Sequence, residues 1–69
     1  MTTATFKSYN TAVRFLTLLS KADIPAKIVS LDRVASERGC NYGVRLNKKH
    51  MKRAGSIGTG YGVIPERWL

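Results

Sequence analysis

Acidic residues are scarce in this 69-residue chain, where four Asp and Glu stand against twelve Lys and Arg, giving a net charge of +8. Such an imbalance works against cationic partners and favours anionic ones. Cysteine and histidine occur once each, as Cys40 and His50. A single cysteine excludes an internal disulfide, and small secreted domains usually depend on several. One cysteine and one histidine are also too few for the four ligands of a structural zinc site within one chain. Apolar runs reach only a few residues, far short of the roughly 20 that a membrane-spanning helix needs. The opening Met1-Thr2-Thr3-Ala4-Thr5-Phe6-Lys7 lacks a basic flank followed by an apolar stretch. The nucleotide-binding patterns GxGxxG and GxxxxGK[ST] are missing as well. The expectation is a cytoplasmic protein with no membrane span, no metal and no cofactor.

What is present fits one small domain. A chain this short buries only about 60% of the surface its unfolded form exposes, so a homodimer contact or docking on a partner would add useful burial. Thr3 to Lys7 alternates in the manner of a short strand, with Ala4 and Phe6 on one face. Ser8 or Asn10 can cap the helix that follows, where Ala12, Phe15, Leu16 and Leu19 recur at helical spacing over about Thr11 to Ala22. Pro25 requires the helix to have ended, and Asp23 is placed to make the left-handed turn. Ala26 to Leu31 has strand composition, but its impure alternation leaves the buried face unassigned.

Asp32 to Gly39 is polar and reads as a loop. In the third strand, Asn41 to Leu46, the residues Tyr42, Val44 and Leu46 share a side. Asn47 is a cap for a short helix from Lys48 to Ala54, and Gly55 is its natural stop. The expected fold is therefore α/β, of the α+β kind: a small ferredoxin-like βαββα sandwich over residues 1–54, one sheet with helices on one face. Residues 55–69 form a Gly-rich C-terminal tail whose Trp68 can fold back onto the core. Connection rules make the first two strands parallel, with the third antiparallel to one of them.

That order brings the start of the third strand, next to Cys40, to the sheet edge where the first helix opens. A helix amino terminus carries about half a positive charge and lowers the pKa of a nearby thiol, and Arg33 and Arg38 share the loop. Lys52 and Arg53, on the returning second helix, are expected to approach the same place. The alternative for Cys40 is a small, inert, packed side chain. A Cys40–His50 dyad is disfavoured because the two lie at opposite ends of a strand and turn, with no orienting third group.

Charge offers a second candidate site. From Arg33 to Arg53 seven cations face Glu37 alone, so six of the net eight charges fall there. Arg45, Lys48, Lys49, Lys52 and Arg53 are candidates for nucleic-acid phosphates, with Tyr42 on the exposed sheet available for base stacking. A solvated basic face is the plainer reading. Gly55-Ser56-Ile57-Gly58 has the glycine spacing of an RNA-clamping loop, though a flexible linker is the plainer reading by a wide margin.

Taken together, Ala4-Thr5-Phe6-Lys7-Ser8, Lys21-Ala22-Asp23-Ile24-Pro25, Ile28-Val29-Ser30-Leu31-Asp32-Arg33 and Ser36-Glu37-Arg38-Gly39-Cys40-Asn41-Tyr42-Gly43-Val44-Arg45-Leu46 resemble a family of small bacterial and archaeal proteins described as selenium/sulfur carriers. The resemblance covers roughly residues 3 to 46. It implies that Cys40 is the carrier thiol, Arg33 the loop arginine, and Ser36 and Gly39 the residues that shape the loop; Arg38 and Asn41 stand close to the thiol in sequence and are supporting candidates on that ground alone. It departs from the family pattern at Asn41, where a glycine often follows the cysteine, and at Asp32, which replaces a proline. The implied activity is non-enzymatic: a persulfide-type adduct on Cys40, received from a sulfur or selenium donor protein and passed to an acceptor. The alternative function is a small basic RNA-binding module.

Overall fold

The computed structural model describes residues 1–31 and 41–69. Four strands form one antiparallel sheet: β1 (Thr2–Phe6), β2 (Ala26–Ser30), β3 (Tyr42–Leu46) and β4 (Arg67–Trp68), in the spatial order β2-β3-β1-β4. Two helices, α1 (Tyr9–Lys21) and α2 (Met51–Gly60), complete a ferredoxin-like α+β domain. β3 lies between β1 and β2 and is antiparallel to both. The first two strands therefore run in the same direction, as expected, but are not neighbours.

Alternation in the central strands decides which face is buried. Ala4, Phe6, Val44 and Leu46 point to the helices and are at most 2% exposed. The register carries Ala26 and Ile28 to the same side, where Ala12, Phe15 and Leu19 of α1 meet them in one core. Phe15 stacks at a tilt on Phe6, 5.2 Å between ring centres, and edge-on to Trp68 at 6.2 Å. Such ring pairs contribute about 1 kcal/mol each beyond the area they bury.

Both helices close in the same way. The amide of Ile24 donates to the Leu19 carbonyl (2.9 Å) and that of Asp23 to Ser20 (3.1 Å), with Asp23 at φ 59°. At the end of α2 the amide of Val63 donates to Gly58 (2.8 Å) and that of Gly62 to Thr59 (3.1 Å), with Gly62 at φ 73°. Each closure is a Schellman turn that drops an apolar residue, Ile24 or Val63, into the core.

Residues 55–69 are part of the fold and not a tail, which corrects the boundary drawn after residue 54. The helix continues through Gly55 and Gly58 to Gly60. Glycine costs about 1 kcal/mol per helical position relative to alanine, and here close packing opposes that cost. A Cβ on Gly58 would collide with the Val63 carbonyl and lie 2.8 Å from the Phe15 ring, so only glycine lets α2 settle onto α1. Gly55-Ser56-Ile57-Gly58 is thus helix interior and cannot serve as a phosphate-clamping loop. Beyond α2, β4 pairs with β1, with Ala4 opposite Trp68 and Thr5 opposite Arg67. The buried Thr5 hydroxyl donates to the Arg67 carbonyl (3.1 Å) and accepts from its amide (3.2 Å), while Thr2 donates to the Leu69 carbonyl (2.9 Å).

Candidate functional site

Register divides the sheet into two chemically different ends. At one end, Phe6 pairs with Tyr42 and Tyr42 with Ser30. The chain leaves β2 here at Leu31 and returns at Asn41, and the Leu31 amide donates to the Asn41 carbonyl at 3.0 Å. This is the loop end. Cys40, Arg33, Ser36, Arg38 and Gly39 all belong to residues 32–40 and lie outside the described residues. The residues on either side of that segment are described. Tyr42, the first residue of β3, meets Tyr9, the first residue of α1, edge-on with ring centres 5.4 Å apart. The start of the third strand and the opening of α1 therefore share one edge, as the connection rules require.

Ser8 takes the cap position of α1 in an extended conformation (φ −115°, ψ 137°), but its hydroxyl makes no capping bond, and no acidic residue stands in the first turn. Among the described residues no side chain caps the first amides of α1, and unpaired amides at a helix amino terminus suit an anion. Lys7 and Glu66 pair nearby at 3.9 Å. Asn41 is exposed.

At the opposite end, Thr2 pairs with Leu46 and Leu46 with Ala26. The chain then turns through Asn47, whose side chain accepts from the Lys49 amide at 3.0 Å, into a 3-10 turn (Lys48–His50) that leads directly into α2. The cap expected at Asn47 is therefore present. Lys48, Lys49, Lys52 and Arg53 are exposed around this amino end of α2, which has no acidic residue in its first turn. Cations there oppose the helix dipole, each at a cost of a few tenths of a kcal/mol. Beside them lies a shallow concavity of about 280 Å³ lined by Met1, Pro25, Asn47, Lys49 and His50.

Arg45 lies near the same end but on the face of the sheet away from the helices, directly opposite Lys27 of β2 and next to Thr3 of β1. Like charges placed opposite each other across strands repel. Lys27 was missed in the sequence because the alternation of β2 is impure; once Ala26 and Ile28 are seen to face the helices, Lys27 must face outward. None of Lys27, Arg45, Lys48, Lys49, Lys52 and Arg53 forms an ion pair among the described residues.

Two expectations about these residues are overturned. Tyr42 is not available for base stacking on an exposed sheet, because the parity that buries Val44 and Leu46 turns it toward the helices, where it is half-buried against Tyr9. Lys52 and Arg53 do not approach the loop end, since they stand in the first turn of α2, within about 3 Å of rise from its start. The residues that α2 brings toward the loop end are Gly58 to Tyr61. His50 is also at the basic end, with the five residues of β3, roughly 13 Å of strand, between it and the loop end. Among the described residues no group of three His, Cys, Asp or Glu could hold a metal ion, and no helix is long and apolar enough to cross a membrane. Comparison with protein-family models, curated proteins and solved structures gives no match.

Proposed function

We propose that the protein is a non-enzymatic thiol carrier for sulfur or selenium, acting through Cys40. The observation that carries this reading concerns the residues that flank the cysteine's segment: the Leu31 amide bonds the Asn41 carbonyl, and Tyr42 meets Tyr9, the first residue of a helix whose Ser8 hydroxyl makes no capping bond. The resemblance of residues 3 to 46 to carrier-like proteins supports it independently.

The chemistry needs no cofactor. A Cys40 thiolate attacks the terminal sulfur of a donor persulfide, forming a new S–S bond while the donor's S–S bond breaks and its electron pair leaves on the donor thiolate. An acceptor nucleophile then takes the same terminal sulfur and returns Cys40 as thiolate. Selenium in the terminal position follows the same two displacements. Arg33 and Arg38 would stabilise the anionic adduct by charge-assisted hydrogen bonds.

The test is alkylation of the native protein across pH, together with mass spectrometry after exposure to a persulfide donor. Modification with a midpoint below the free-cysteine value of about 8.5 is expected, as is a mass gain of one sulfur atom that is reversed by thiol and absent in Cys40→Ser. A thiol that stays unlabelled in the folded protein, or titrates at or above the free value, overturns the reading.

A further inference from the structure

The basic end of the sheet has no part in the carrier reading, and its electrostatics call for a separate explanation. Lys21, in the last turn of α1, sits where a helix dipole favours a cation. Lys48, Lys49, Lys52 and Arg53 sit where the dipole of α2 disfavours one. Lys27 and Arg45 face each other across β2 and β3. Of the two acidic side chains among the described residues, Glu66 is at the loop end with Lys7, and Asp23, which closes α1 at the basic end, forms no ion pair with any of these cations among the described residues. Six cations thus share one end of a small domain without neutralisation among the described residues, in positions that the fold gains nothing by making positive.

We propose that this end is a docking surface for the phosphate backbone of nucleic acid, used without regard to base sequence. A polyanion relieves every one of these repulsions at once and releases its own counterions. Lys27 and Arg45 are direct cross-strand partners, a pairing whose Cβ atoms stand roughly 5 Å apart, and Lys48, Lys49, Lys52 and Arg53 follow within six residues along the chain. Tight protein interfaces centre on aromatic or arginine anchors in desolvated pockets. Here four of the six cations are lysines, and no aromatic side chain of the described residues lies on the open face with Lys27 and Arg45. The missing aromatics argue against an acidic protein partner and against base stacking alike, leaving backbone contact.

The test is fluorescence anisotropy of the full chain with a labelled mixed-sequence oligonucleotide, single-stranded and duplex, at increasing salt. Binding is expected, with an affinity that falls steeply and log-linearly with salt. Lys48→Gln, Lys49→Gln, Lys52→Gln and Arg53→Gln combined should weaken it at least about tenfold at low salt and flatten the salt slope by about three. The thermal midpoint of the combined variant should not fall, since its charges oppose the dipole. Should that variant misfold, Lys27→Gln with Arg45→Gln applies the same criteria on the strand side. Cys40→Ser should bind like the parent, so this proposal stands or fails apart from the carrier reading. Absence of binding at low salt overturns it, as does an equal loss from Arg14→Gln on the exposed side of α1. Tighter binding of polyglutamate than of the oligonucleotide also overturns it and reassigns the surface to an acidic protein.

Discussion

The loop end and the basic end are built from the same strands yet follow opposite electrostatic rules. At the loop end Lys7 faces Glu66, two tyrosine rings meet edge to face, and Leu31 and Asn41 close the strand ends with a backbone bond. At the basic end cations sit opposite each other across strands and against a helix dipole. The first end is organised by contacts that favour the folded chain, the second by charges that do not. Residues that lower stability without a packing reason are where a binding role is to be sought.

Substitutions can break this contrast in graded ways. The largest effect should come from Gly58→Ala, which forces a methyl group against the Val63 carbonyl and the Phe15 ring. Overpacking of this kind costs up to about 3 kcal/mol, and because α1 and α2 span both ends, loop-end and basic-end probes should lose structure together in a urea titration. Tyr42→Ala comes next. It removes the Tyr9 contact at the loop end alone and should cost about 1–2 kcal/mol, measured by thermal melting, while leaving the salt dependence of oligonucleotide binding unchanged.

The smallest effects compare the two Schellman closures. Asp23→Gly, at the basic end, should stabilise by under about 1 kcal/mol by relieving a left-handed non-glycine residue. Gly62→Ala, at the loop end, should destabilise by a similar amount. Equal and same-signed effects in calorimetry would show that the two turns are not equivalent.

Much of this architecture can be read from residue order. Ala4 and Phe6 fix β1, Ala12, Phe15 and Leu19 fix α1, and Val44 and Leu46 fix β3, because each set repeats with the period of its element. The second half resists such reading for a physical reason. Three glycines within ten residues predict a break, and only the close approach of α2 to Phe15, a tertiary fact, reverses that preference. β4 is two residues long, too short to show a period at all. For the candidate sites, the sequence marks Cys40 by its chemistry and the cations by their density. It could not show that Arg45 and Lys27 are neighbours, since that depends on strand order, nor that Tyr42 faces inward while its chain neighbour Asn41 is exposed.

The pairing of β4 with β1 has a consequence for the order of folding. β1 is interior in the sheet, and its outer edge is completed by residues 66–69, through Thr2, Thr3 and Thr5. Contacts of such long sequence separation form late and slow the search for the native state. During synthesis, β1 precedes its partner by some sixty residues, and its edge stays open until residues 66–69 have left the ribosome. Over that interval the chain is most exposed to wrong pairing, and a chaperone has most to offer it.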